Sequence, residues 1–200
     1  MLDFLMQLDR ELFLFLNGLN ASWLDMFMFW ASDRFVWIPF YMILLGLCYR
    51  YYGWKKLLVL LLMIVVMITI SDQISSFLKS SLQRFRPSRD PALEGWVHTV
   101  KGYRGGRFGF VSSHASNSMA LAIFLVFLLR RHFQYILPMM IVFVFLKSYS
   151  RIYLGVHYPG DILGGFVVGV FAAWVVIRIW KFLMARYFAS EKTTELLSSS

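Results

Sequence analysis

Three short stretches of this 200-residue chain gather its candidate chemistry. KSSLQRFRP carries Lys79, Arg86 and Pro87; VSSHASN carries Ser112, Ser113 and His114; SRIYLGVHYPGD carries Ser150, Arg151, His157 and Asp161. Cations fixed at the ends of membrane helices can clamp the equatorial oxygens of a phosphoryl group, where charge must be stabilised during transfer. Serine hydroxyls and backbone N–H groups at the start of an apolar helix add an anion site. Phosphoryl transfer without a metal needs a nucleophile and a group that protonates the leaving alcohol, and two histidines on one face can divide those tasks. Asp161 follows His157 by four positions, one turn if the segment is helical, so its carboxylate could orient the imidazole and stabilise its cation. Pro159 lies between them.

These stretches meet only if the elements around them bring them to one place. The chain is 59% hydrophobic and 18% aromatic, and several apolar runs reach the length needed to cross a bilayer. The expected fold is all-α, a polytopic membrane bundle of about five transmembrane helices at 35–52, 57–78, 115–129, 133–149 and 161–180. Pro138 is expected to kink the fourth, and Gly164, Gly165 and Gly169 to allow close helix contact in the fifth. Residues 1–34 read as an N-terminal amphipathic, interfacial or re-entrant helical segment, in which Phe4, Leu5, Leu8, Leu12, Phe15 and Leu16 recur at helical spacing. Residues 35–188 form the transmembrane domain, with the motifs in a core at 57–180, and 189–200 read as a disordered tail. Five spans put all three stretches on one face of the membrane. The last third of the second span is polar, so it should face protein or water.

A net charge of +9 on a membrane chain points to anionic head groups or a phosphorylated substrate and away from nucleic acid. Cys48 stands alone, which excludes an intramolecular disulfide and a cysteine-rich metal site. The motifs hold one carboxylate, so no metal and no cofactor is expected. No cleavable leader is evident, since Asp3, Asp9 and Glu11 interrupt the first residues. Basic residues divide almost evenly between the two faces, so charge alone does not orient the chain. Not every polar residue is assigned to chemistry: His98 and His132 read as structural, and Tyr103, Arg104 and Arg107 as loop structure. Asp72, a costly carboxylate inside a span, reads as a functional group or as the partner of a loop arginine.

Taken together, the three segments resemble the signature of the type 2 phosphatidic acid phosphatase superfamily, K-x6-RP, PSGH and SR-x5-H-x3-D. The first and third match residue for residue; in the second, Val111 stands where proline is usual and Ser113 where glycine is usual. The resemblance covers about residues 57–180. It implies an integral membrane lipid phosphatase with His157 as the nucleophile that forms a phosphohistidine, Asp161 supporting it and His114 protonating the leaving group. Lys79, Arg86, Ser112, Ser113 and Arg151 would bind the phosphate. The implied substrates are undecaprenyl diphosphate, a lipid A phosphate, phosphatidylglycerophosphate or phosphatidic acid. The implied location is the bacterial inner membrane, with the site toward the periplasm. A phosphotransferase using the same site is the nearest alternative, and a non-catalytic anionic-lipid binder or transporter a more distant one.

Overall fold

The computed structural model describes residues 2–188, so the tail expected at 189–200 lies outside the described residues. The described residues form six α-helices: α1 (Leu2–Gly18), α2 (Ser22–Ser32), α3 (Ile38–Leu82), α4 (Ser113–Leu129), α5 (Ile136–Tyr153) and α6 (Pro159–Tyr187). Among the described residues the only β pairing is an isolated bridge between Phe85 and Phe108 in the long loop.

α3 is two limbs, not one rod. Gly53 breaks it with φ 69° and ψ 173°, a left-handed backbone that glycine enters without steric cost. Leu44 and Cys48 before the break line the same cavity as Leu60 and Ile64 after it, so the chain folds back there. Tyr52 donates to the Leu128 carbonyl at one end of α4, and Lys79 reaches Ser113 at the other. The two limbs, α4, α5 and α6 give the expected five apolar segments. Three helical stretches, Phe35–Leu82, Ile136–Tyr153 and Pro159–Tyr187, are long and apolar enough to cross a membrane; α4 is shorter. α1 and α2 form a pair bent by 116°, a broken span or re-entrant loop by length and composition.

Both ends of α5 correct the sequence reading. α5 begins at Ile136, so Pro138 lies in its first turn, where a missing N–H removes no intrahelical bond and no kink follows. α5 also runs on to Tyr153, past the end expected at 149, which puts Ser150 and Arg151 in its last turn.

α4 lies at the centre and packs most extensively on α6. A Cβ on Gly165 would come within 2.7 Å of the Ser112 carbonyl oxygen, and one on Gly169 would collide with the Ser116 carbonyl. Small residues let these backbones touch, the packing that drives helix association where lipid supplies no hydrophobic contrast. The polar end of the second α3 limb turns inward: Ser71 donates to Ser116 at 2.8 Å, and Ser75 lies 3.3 Å from the same hydroxyl.

α1 and α2 brace the end of the bundle that carries the motifs. Phe4, Leu5, Leu8 and Phe15 of α1 face outward, while Phe13 is fully buried edge-on against Tyr158. Asn17 is buried too, donating to the Ile152 and Tyr153 carbonyls and accepting from the His98 amide. The amphipathic pattern thus has an inner side made by specific polar contacts with the motif-bearing loops.

Candidate active site

Local chain geometry explains how His157 meets Asp161. Pro159 occupies the first position of α6, where its fixed φ suits the helix and its lack of N–H costs nothing. Tyr158 is the N-cap, and Asp161, three residues on, reaches back so that Oδ2 accepts the Tyr158 amide at 3.0 Å. His157 therefore lies outside the helix, and the pair is joined across a capping turn, not along one helical turn as the spacing suggested. His157 Nδ1 is 3.3 Å from Asp161 Oδ2, and its Nε2 is 3.0 Å from Arg86 Nη1. The ring is 1% exposed.

Arg86 is aimed by the loops around it. Nε donates to the Phe108 carbonyl at 3.1 Å and Nη1 to the Val156 carbonyl at 3.2 Å, which fixes the plane of the guanidinium beside His157. Burial first, and then the positive charges of Arg86, Arg151 and Lys79, hold the imidazole well below its ordinary pKa of 6.5. A ring so placed stays neutral at physiological pH and keeps a lone pair on nitrogen.

The second motif opens α4. Ser112 is its N-cap: its hydroxyl accepts the Ala115 amide at 3.4 Å, and its own amide donates to the Asp161 carbonyl at 3.0 Å, tying the second motif to the third. Ser113 accepts from Lys79 Nζ at 2.6 Å, which ties the second to the first. His114, half-buried, lines a cavity of about 590 Å³ together with Ser113. The polar end of that cavity holds Asp72, Asn117, Lys147 and Arg34; its walls are apolar, with Leu44, Leu60, Leu121, Leu125 and Phe143 among them. Arg151 is buried in the last turn of α5, donating to the Ser32 hydroxyl and to the Tyr103 hydroxyl at 3.2 Å. Its Nε has no acceptor among the described residues.

The structure thus gathers Lys79, Arg86, Ser112, Ser113, Arg151, His157 and Asp161 at one end of the bundle, with His114 on the cavity beside Ser113. Asp72 has an amide as its partner, accepting from Asn117 at 2.9 Å, and not the loop arginine considered from sequence. Tyr103 joins the site edge through Arg151, whereas Arg107 stacks on Phe85 and Phe108. His98 bonds Asp25 at 2.9 Å and His132 stacks on Tyr51. Among the described residues no group of three acidic, histidine or cysteine side chains is arranged to hold a metal ion.

Sequence reasoning passed over Arg84, Asp9 and Ser32. Arg84 donates to Asp161 Oδ1 at 3.0 Å and to Asp9 Oδ2 at 2.6 Å, and Ser32 at the end of α2 engages Arg151. The available signal was an arginine two positions before Arg86 and a carboxylate inside an amphipathic helix, and both also fit head-group contact.

Comparison with known proteins agrees with this architecture. The model of the PAP2 superfamily matches residues 57–185. A lipid A 4′-phosphatase of Bacteroides thetaiotaomicron is 39% identical over 93% of this chain and 83% of its own length. One of Porphyromonas gingivalis is 35% identical over 93% of this chain and 78% of its own. The undecaprenyl-diphosphatase BcrC of Bacillus subtilis is 31% identical, over 44% of this chain and 43% of its own length. Among solved structures, the transmembrane PAP2 type phosphatidylglycerolphosphate phosphatase of Bacillus subtilis superposes with a TM-score of 0.68 at 20% identity, covering 92% of this chain and 89% of that one. LpxE of Aquifex aeolicus superposes with a TM-score of 0.65 at 23% identity, covering 86% and 95%, so these two speak for the fold. With a family model across most of its length and relatives alike over nearly all of it, the chain belongs to the PAP2 superfamily and is a membrane-embedded phosphatase.

Proposed function

We propose that this bacterial membrane lipid phosphatase removes the 4′ phosphate of lipid A at the periplasmic face of the inner membrane, using His157 as nucleophile. The observation that carries the reading is His157 set between Asp161 at Nδ1 and Arg86 at Nε2. Nε2 attacks phosphorus, the bond from phosphorus to the lipid oxygen breaks, and His114 gives that oxygen its proton. Water then attacks the phosphohistidine as His114 takes the water's proton, the bond from phosphorus to Nε2 breaks, and phosphate leaves. Asp161 stabilises the imidazolium while the phosphoryl group is attached. Lys79, Arg86, Ser113 and Arg151 receive the phosphoryl oxygens. Ser112 contributes by capping α4, leaving the Ser113 and His114 amides at the positive end of the helix for the anion.

The cavity beside His114 supports a substrate with a hydrophobic tail, because its polar end adjoins the site and its apolar walls lie between helices. The choice among lipids rests on likeness: the two lipid A 4′-phosphatases align over 93% of the chain, and the undecaprenyl-diphosphatase over 44%. Phosphate release from lipid A, undecaprenyl diphosphate, phosphatidylglycerophosphate and phosphatidic acid should favour lipid A in kcat/KM by more than tenfold, roughly the 1.4 kcal/mol that a few specific contacts supply. Activity should persist in chelator, and mass spectrometry should find the 4′ position emptied. A higher kcat/KM on another of the four lipids would overturn the substrate assignment. Comparing spheroplasts with inverted vesicles, each given lipid A from outside, tests the face: only spheroplasts should release phosphate.

The hydroxyl at Ser113 has a partner in Lys79. Ser113→Ala and Ser113→Gly should both lower kcat/KM, each by about fivefold, the value of one hydrogen bond of about 1 kcal/mol. A Gly variant at native activity beside a crippled Ala variant would show that backbone approach, and not the hydroxyl, matters there.

A further inference from the structure

Asp161 is anchored on both of its oxygens. Oδ2 accepts the Tyr158 amide and faces His157, while Oδ1 accepts Arg84 Nη1 at 3.0 Å. The second terminal nitrogen of Arg84 donates to Asp9 Oδ2 at 2.6 Å, and Asp9 Oδ1 accepts the Gly160 amide at 2.7 Å. The guanidinium carbon of Arg84 stands 4.2 Å from the centre of the Tyr158 ring, the residue that caps α6. A Cβ on Gly160 would come within 2.6 Å of Asp9 Oδ2, so glycine is what lets α1 approach the start of α6 so closely.

We propose that Arg84 and Asp9 are positioning residues for the phosphatase reaction: Asp9, brought in on α1, holds Arg84, and Arg84 holds Asp161 in the orientation that serves His157. This rests on His157 being the nucleophile. A carboxylate held by one amide alone can turn about its Cβ–Cγ bond; a donor on the opposite oxygen fixes its plane. Partners of this kind, which orient a group that touches the reacting atoms, are worth about 10 to 100-fold where they have been removed around metal ligands. Arginine suits the task because its planar fork spans two carboxylates at once, which the single point charge of lysine does not. Both terminal nitrogens of Arg84 donate to carboxylates, which aims its fork at Asp161 and Asp9. The N-terminal helix, outside the segment that the family model matches, thereby helps to position the active site.

The test uses the full chain purified in detergent, with Arg84→Gln, Asp9→Asn, the double variant, Arg84→Lys and Gly160→Ala. Arg84→Gln should lower kcat about 100-fold with KM changed less than about threefold, and Asp9→Asn about tenfold. The double variant should match Arg84→Gln within a factor of about two, because the two residues act as one unit. Formation of the phosphoenzyme, followed by rapid quench, should slow in the same proportion as kcat. Arg84→Lys should recover part of the loss, since lysine reaches one carboxylate. Gly160→Ala, which leaves both side chains intact but displaces Asp9, should reproduce Asp9→Asn.

Native kcat in a folded Arg84→Gln variant, losses that multiply in the double variant, or a change confined to KM would overturn the proposal. Should Arg84→Gln give no cooperative melting, Asp9→Asn and Gly160→Ala decide, and native kcat in both refutes it. His157→Asn is the control that separates the two readings: if it stays inactive while the Arg84 and Asp9 variants remain fully active, the positioning role falls and the nucleophile stands.

Discussion

His157→Ala and His157→Asn are each expected to lower phosphate release by at least about 10⁴-fold, and neither should yield a phosphoenzyme when labelled substrate is quenched with base. Asparagine keeps a polar side chain of similar reach but offers no basic nitrogen, so its inactivity would separate chemistry from packing. Normal turnover in either variant would remove the nucleophile assignment. The electrostatics of the ring add an independent readout. Burial, and then Arg86, Arg151 and Lys79, depress the His157 pKa well below 6.5 in the folded chain. The unfolded chain binds the proton near the ordinary value, so it takes up more protons than the native state as the pH falls through about 6.5. The stability associated with His157 is therefore complete above that pH and is lost progressively below it. His157→Asn should lack this loss, and its melting temperature should fall less than that of the native chain between about pH 7.5 and pH 5.5. Parallel curves for the two proteins would contradict a neutral, buried imidazole.

Much of this arrangement is legible in the sequence because polar residues are conspicuous in an apolar chain. Three motif stretches at the ends of apolar runs were enough to place Lys79, Ser113, Arg151 and His157 on one face, and the two limbs of α3 with α4, α5 and α6 supply that topology. Local chemistry hid the rest. The interval from His157 to Asp161 matches a helical turn, yet Pro159 starts the helix and the contact runs through a capping carboxylate. Pro138 looked like an internal kink because the apolar run begins before the helix does. Asp9 and Arg10 on α1 read only as polar positions of an interfacial helix, since an amphipathic helix on a membrane and one docked on a protein share the same pattern. Only the fold reveals that Asp9 meets Arg84 and Gly160, while Arg10 meets Asp90. Pairings between residues some 75 to 150 positions apart leave no trace in a single sequence.

Arg86 should show the largest effect after His157. Its guanidinium is held by the Phe108 and Val156 carbonyls and stands 3.0 Å from His157 Nε2, the atom assigned to attack phosphorus. A cation already fixed in this position needs no reorganisation as charge builds on the transferring oxygens, which is where electrostatic catalysis gains most. Arg86→Gln should lower kcat/KM by about 10³-fold, within the range seen when an arginine that serves a phosphoryl transition state is removed. Arg86→Lys should recover little, because a lysine ammonium lacks the planar fork that reaches both carbonyls and a phosphoryl oxygen together. Vanadate gives the discriminating measurement, since its five-coordinate adduct on a histidine resembles the transition state more than the bound lipid does. If Arg86 acts in the transition state, vanadate inhibition should weaken in proportion to the loss of kcat/KM, while KM for the lipid changes much less. If Arg86 serves only to fold the loop, Arg86→Gln should lower the melting temperature and the yield of folded protein, and the folded fraction should retain native kcat/KM and native vanadate sensitivity.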